Sequence, residues 1–211
     1  MVKVLLTGSE GFIGSAALNT FLEKNLNSAQ ISKLSLIDKT DNNIFSSIKN
    51  LDALRENIPS VEFYNADLRN HNVMSDIDIY DVIIHWAASI DSAESHRIPE
   101  EYNLNNFVVT KQLLEKVAPG GRFVFASSAA VYGIPQSLPS TEHDEPKPNA
   151  PYGQSKLDAE TAIINFCQDR LITFNILRFF NVSGSFNGKY IKSQPMFPQN
   201  LFSQIQQRHS L

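Results

Sequence analysis

The chain has 211 residues, 42% of them apolar, and its 18 Lys and Arg are outnumbered by 22 Asp and Glu, for a formal net charge of −4. This length and apolar share predict one core-forming domain with at most a small appendage, and they exclude wholesale disorder. The mild acidity and the lack of a basic cluster argue against a nucleic-acid surface, and no stretch approaches the ~18 consecutive apolar residues of a membrane-spanning helix.

Residues 2–6 form a compact apolar run, which predicts a strand buried on both faces; the run is too short for the core of a secretory signal peptide. Residues 12–26 then set Phe12, Ala16, Leu22 and Leu26 at helical intervals. A second strand is expected over 34–37, closed by Asp38. A polar helical stretch over 44–56 leads to Pro59 and a third strand at 61–64, and residues 81–85 read as the fourth. After Pro99 a helical pattern runs to Val117 and stops at Pro119-Gly120-Gly121. Residues 122–126 predict a fifth strand, 152–167 a helix and 171–177 a sixth strand. Strands separated by helices imply right-handed crossovers, hence an α/β fold with a parallel, doubly wound sheet.

Five of the ten prolines (Pro135, Pro139, Pro146, Pro148 and Pro151) fall in a loop after the fifth strand, at the end of the sheet where ligands bind. Beyond Arg178 the composition turns to Gly, Asn, Ser and aromatics, with a last helical stretch near 200–207 that is too short for a second domain. The lone Cys167 cannot form an internal disulfide; its place in a helical pattern reads as a structural thiol and suits a reducing cytoplasm.

Three of only nine glycines stand at Gly8, Gly11 and Gly14, between a strand and a helix. Gly8 suits the tight turn, Gly11 lets main chain approach a pyrophosphate, and Gly14 lets helix and sheet pack closely, with free N–H groups of the helix start facing the anion. The spacing is G-x-x-G-x-x-G, and a Gly-rich turn without a ligand is the plainer alternative. Asp38, ending the second strand, can accept hydrogen bonds from ribose hydroxyls. It would repel the extra phosphate of NADP, favouring NAD, although Lys39 beside it softens that preference.

Tyr152 and Lys156 are four apart on the helix entered through Pro151, so they share a face. An ammonium near a phenol is expected to lower the phenol pKa and make it a usable acid/base. Ser127 or Ser128, at the end of the fifth strand, can complete a hydrogen-bonded trio. His85 and Trp86 read as scaffolding, and the remaining histidines lack metal-ligand spacing, so no metal is expected.

With these residues in order, the sequence resembles the extended short-chain dehydrogenase/reductase family, on its UDP-glucose 4-epimerase branch. The matching stretches are Thr7-Gly8-Ser9-Glu10-Gly11-Phe12-Ile13-Gly14, Ala66-Asp67-Leu68-Arg69, His85-Trp86-Ala87-Ala88, Ser127-Ser128-Ala129-Ala130-Val131-Tyr132-Gly133, Pro151-Tyr152-Gly153-Gln154-Ser155-Lys156 and Leu177-Arg178-Phe179-Phe180-Asn181. The resemblance implies a Rossmann-like, NAD-binding domain over 1–178 and a partial substrate-binding segment over 179–211. It implies Tyr152 as base, Lys156 as holder of the nicotinamide ribose, and Ser128 as the bridge from substrate to tyrosine. Gly8, Gly11, Phe12, Ile13, Gly14, Asp38, Asp67, Leu68, Ala87, Ala88 and Asn106 would line the cofactor, with Tyr152 and Lys156. Ser128, Tyr152, Asn181, Asn200 and Leu201 would hold the nucleotide sugar.

Related 4,6-dehydratases carry an Asp-Glu pair, and related decarboxylases a Glu, where this chain has Ala129 and Ala130. The implied reaction is therefore 4-epimerisation, by transient oxidation at the sugar carbon and hydride return to the opposite face. A nucleotide-sugar oxidoreductase and a non-catalytic NAD-binding module are the alternatives. The chain ends sooner than its relatives usually do, which points to a truncated or minimal pocket, or one completed by a partner chain. Val109 stands where relatives usually have glycine, and Ile90 where they often have a polar side chain. By the same resemblance the helices after the fourth and fifth strands would pair two copies as a homodimer.

Overall fold

The computed structural model describes residues 1–23, 31–39, 51–56, 58–135, 138–182, 185–186 and 189–190. In chain order these form β1 (Val2–Thr7), α1 (Phe12–Glu23), β2 (Ile31–Asp38), α2 (Leu51–Arg55), β3 (Val61–Asn65), α3 (His71–Asp76) and β4 (Tyr80–His85). They continue with α4 (Ser92–Ser95), α5 (Pro99–Tyr102), a π-helical turn (Asn103–Val108), α6 (Val109–Leu114), β5 (Val117–Ser128) and a 3-10 turn (Ala129–Tyr132). Last come α7 (Pro151–Gln168), β6 (Thr173–Phe179) and a two-stranded ribbon of β7 (Ser185–Phe186) and β8 (Lys189–Tyr190). The expected helix near 200–207, and all but a few residues of the segment 179–211, lie outside the described residues.

The six main strands are parallel, in the order β3-β2-β1-β4-β5-β6. This is the doubly wound arrangement, and its strand order reverses between β1 and β4, where the crevice beyond the strand ends receives ligands. Alternation along β1 divides the core between the two faces. Val4 and Leu6 pack with Leu18, Leu34, Leu36 and Leu54 on one side, while Leu5 joins Ile83, Leu113, Phe123, Phe125 and Ile163 on the other. Each fully buried Phe or Leu in these layers contributes about 1.5–3 kcal/mol of transfer free energy.

Three expectations give way to the structure. The helix after Pro99 does not run evenly to Val117: it passes through the π-helical turn and ends at Leu114. The Pro119-Gly120-Gly121 segment lies inside β5 rather than before it. Tyr80 pairs with Val117 and Val82 with Arg122, so the extra residues bulge out of the ladder, and Gly120 takes φ +73° there. Finally, β6 begins at Thr173, not Leu171, because Leu171 sits in the left-handed region at φ 56° with its side chain in solvent.

Candidate active site

The turn after β1 fits the crevice through close backbone approach. A Cβ on Gly8, at φ +73°, would lie 2.5 Å from the Ala87 nitrogen, and one on Gly14 would lie 2.0 Å from the Gly8 carbonyl oxygen. Gly11 donates its N–H to the Gly8 carbonyl, the one atom a Cβ there would meet. The first turn of α1 leaves N–H groups without intrahelical acceptors, and here they belong to Phe12, Ile13 and Gly14. Beside them the Ser9 hydroxyl is buried without a hydrogen-bond partner. A polar cradle with an unanswered buried hydroxyl is what an anionic ligand completes, so these residues fit a dinucleotide.

Asp38 stands at the end of β2 and accepts the Glu10 N–H at 2.7 Å. Burial raises its carboxyl pKa, against the pull of the Glu10, Lys39 and Gly11 amides. Asp67 is gripped by Arg69, whose Nη2 lies 2.7 Å away, with Lys39 at 3.6 Å. That guanidinium holds the Asp67 carboxyl down at about 2. The Leu68 side chain is buried in the core, which leaves its main chain as the part that can meet a ligand. Ala87 and Ala88 are half-buried in the segment after β4, and Ala87 lies directly against the Gly8 turn.

At the end of β5 the Ser128 side chain accepts the Ala130 N–H at 3.2 Å, capping the 3-10 turn. Its hydroxyl is also the neighbour that draws the Tyr152 pKa down. Gly153 lets α7 close on this turn, since a Cβ there would lie 2.5 Å from the Ala130 carbonyl. Lys156 is 2% exposed, donates to the Ala126 carbonyl at 2.8 Å, and has its ammonium 4.7 Å from the Phe125 ring centroid.

The expected tuning of Tyr152 by Lys156 is corrected here. Burial raises the Tyr152 pKa, and the counteracting influence is the Ser128 hydroxyl. Burial likewise pulls Lys156 down to about 7, with the Glu160 carboxylate opposing. Desolvation therefore governs both groups, and it brings the amine, rather than the phenol, into the neutral range.

Asn106, expected beside the cofactor, has both ends of its amide taken by protein groups. Its oxygen accepts the Ser89 N–H at 2.9 Å, and its nitrogen donates to the Ser89 carbonyl at 2.9 Å and to Ser155 Oγ at 3.0 Å. It clamps the segment after β4 onto α7 from within the π-helical turn. Asn181 is exposed just past β6, whereas Asn200 and Leu201 lie outside the described residues.

Sequence reasoning passed over Glu160. This residue is 2% exposed, receives the Ser127 hydroxyl and is forked by Arg178, whose Nη2 lies 2.7 Å away. Arg178 also reaches Tyr132 Oη at 2.9 Å, tying β5, β6, α7 and the 3-10 turn together. The available signal was a carboxylate four residues past Lys156 on the buried face shared with Ile163 and Cys167.

Comparison with known proteins agrees with this geometry. The chain is 33% identical to a UDP-glucose 4-epimerase 2 of Arabidopsis thaliana, across 97% of this chain and 59% of that one. It is 30% identical to a UDP-arabinose 4-epimerase 1 of the same plant, across 88% and 44%. Among solved structures it superposes on the UDP-Glc/GlcNAc 4-epimerase of Campylobacter jejuni with a TM-score of 0.74 at 31% identity, covering 91% of this chain and 59% of that one. It matches a Bacillus cereus UDP-glucuronic acid 4-epimerase, solved with UDP-glucuronic acid and NAD, with a TM-score of 0.75 at 27% identity, covering 97% and 63%. The chain thus spans about half to three-fifths of the length of these relatives. The model of the NAD dependent epimerase/dehydratase family matches residues 4–210, and the chain belongs to that family.

Proposed function

We propose that the chain acts as an NAD-dependent nucleotide-sugar 4-epimerase on substrates of the UDP-glucose/UDP-galactose kind. The observation that carries this reading is the contact of Tyr152 with Ser128, one helical turn from the buried amine of Lys156, at the open end of the sheet beside the Gly-rich turn. Gly8, Gly11 and the start of α1 would hold the pyrophosphate, Asp38 the adenosine ribose, Asp67 and the Leu68 main chain the adenine, and Lys156 the nicotinamide ribose. When bound, NAD supplies a reversible acceptor for the hydride on the sugar carbon. Tyr152 would take the hydroxyl proton at Oη and later return it, while Ser128 orients that hydroxyl by hydrogen bonding. Ala129 and Ala130 support epimerisation over dehydration, because neither can move a proton.

Asn181, with Asn200 and Leu201, would grip the substrate's diphosphate. The proposal includes a homodimer, supported by the exposed Leu104 and half-buried Phe107 on the helical segment after β4. It also includes a cytoplasmic setting, supported by the buried, unpaired thiol of Cys167. No described helix is long and apolar enough to cross a membrane.

The test incubates the protein with NAD and UDP-galactose, UDP-glucose and other sugar nucleotides, following product stereochemistry by NMR together with nicotinamide absorbance. Inversion at C4 without net NADH is the expected result. Accumulating NADH would replace the reading with an oxidoreductase, and dinucleotide binding without conversion would replace it with a non-catalytic module. Light scattering during gel filtration checks the dimer.

A further inference from the structure

Between the Gly-rich turn and the Tyr152 helix runs a continuous line of buried polar groups that the chemistry above does not use. The Ala87 N–H donates to Thr7 Oγ1 at 3.3 Å, Thr7 Oγ1 lies 2.7 Å from His85 Nδ1, and His85 Nε2 lies 3.1 Å from Thr110 Oγ1. Thr110 donates to the Asn106 carbonyl, Asn106 Nδ2 donates to Ser155 Oγ at 3.0 Å, and Ser155 donates to the Tyr152 carbonyl at 2.8 Å. Thr7, Thr110 and Asn106 are fully buried, and His85 and Ser155 nearly so.

Counting donors fixes the direction of the line. The one hydroxyl proton of Thr110 is committed to the Asn106 carbonyl, so its oxygen accepts from His85 and Nε2 carries the hydrogen. Nδ1 is then an acceptor and takes the Thr7 hydroxyl proton, which leaves the Thr7 oxygen to accept from Ala87. The opposite tautomer would leave the buried Thr7 proton without an acceptor and withdraw the Thr110 proton from Asn106. A protonated ring would keep the Nε2 bond to Thr110 but would likewise strand the Thr7 proton, since Nδ1 would become a donor. The groups facing His85 are the Phe123 and Phe125 rings of β5, Thr7 of β1, Thr110 of α6 and the Lys156 amine of α7. Burial, with the Lys156 charge, pushes its pKa down to about 3.

We propose that His85, as a neutral Nε2–H imidazole, is a positioning residue that registers the Gly-rich turn against the helix bearing Tyr152 and Lys156. Its consequence for turnover rests on the function proposed above; the link itself is a property of the chain alone. The turn touches Ala87 with no room for a Cβ, and α7 is seated through Ser155, so the line joins the two parts of the site that must keep one spacing.

The experiment begins with imidazole ¹⁵N NMR of the full chain. His85 is expected as the Nε2–H tautomer, without titration between pH 8 and about pH 5. Thr110→Val, close to isosteric, cuts the line at its middle. It should move both the Ala87 amide signal and the Tyr152 ring ¹³Cζ signal, and weaken NADH binding about five-fold or more. It should also lower kcat by more than it raises KM, and Thr110→Ser should restore all of these. An Nδ1–H tautomer, titration near the ordinary 6.5, or a Tyr152 signal unmoved in Thr110→Val overturns the proposal. If Thr110→Val does not fold, the wild-type tautomer and titration decide. A wild-type chain that binds no NADH overturns the function proposed above, while the NMR readouts still judge the link.

Discussion

Two arginine–carboxylate forks stand at the same end of the sheet and differ in almost nothing but water. Arg69 holds Asp67 after β3, and Arg178 holds Glu160 between β6 and α7, each with a 2.7 Å contact from Nη2. The Asp67 side chain keeps 29% of its surface exposed, while Glu160 keeps 3%. The half of the sheet carrying the Gly-rich turn keeps Asp67 and Arg69 near solvent, while the half carrying Tyr152 seals Lys156, Glu160, His85 and Asn106 inside. The lesson is that fork geometry is shared, and dielectric decides what each fork is worth. In the sealed half, burial carries Lys156 and His85 well below their ordinary pKa values.

The largest expected effect comes from removing the hydroxyl that the proposed function makes the base. Tyr152→Phe should lower epimerase turnover by about a thousand-fold or more, the upper range for loss of a positioned acid/base. NADH binding by fluorescence titration should stay within about two-fold, because the Gly-rich turn is untouched. Near-normal turnover would remove Tyr152 from its role.

Next in size is the buried fork. Glu160→Gln leaves Arg178 without its counter-charge and turns one of the two acceptor oxygens that Ser127 and Arg178 share into a donor, so a loss of about 3 kcal/mol in chemical denaturation is expected. Glu160→Gln combined with Arg178→Met should recover much of that loss, since two neutral side chains leave no stranded charge. A double variant as unstable as the single would mean that packing, not desolvated charge, sets the cost.

Lys156 gives a smaller effect with a definite sign. Its folded pKa, about 7, lies below its ordinary 10.5. Between those values the unfolded chain binds a proton that the folded chain does not, so this group makes stability rise with pH, and its burial weakens the fold at pH 7. Lys156→Met should therefore flatten that part of the rise and gain about 1 kcal/mol at pH 7, roughly 2–4 °C in Tm, while abolishing turnover. Paired melts at neutral and alkaline pH isolate the contribution; parallel curves for the two proteins would contradict it.

The contrast between the forks also explains what the sequence made legible. Alternating strands and helices gave the sheet, and i, i+4 spacing put Tyr152 and Lys156 on one face, because both follow from local periodicity. The π-helical turn at Asn103–Val108 has a different period and depends on packing, so the residues after Pro99 read as one even helix. Leu171 looked like strand because it is apolar, yet it occupies a left-handed turn. The family resemblance sets Asn106 beside the cofactor, whereas Ser89 and Ser155, distant in sequence, occupy its amide. Desolvation of Lys156 and Glu160 is set by the same long-range packing and leaves no local trace.

The smallest effect is the exposed fork, which sharpens the comparison by its size. Asp67→Asn should cost less than about 1 kcal/mol at neutral pH, because water screens the pair and Arg69 keeps Glu101 as a second partner. The carboxyl is held at about 2, below its ordinary 3.8. Its contribution is thus fully present above the ordinary value and is lost as pH falls through about 2, where wild type and variant should converge. Added salt should shrink the difference at neutral pH, while barely altering the cost of Glu160→Gln. Equal salt sensitivity in the two variants would mean that burial does not separate the forks, and the account of the sealed half would fail with it.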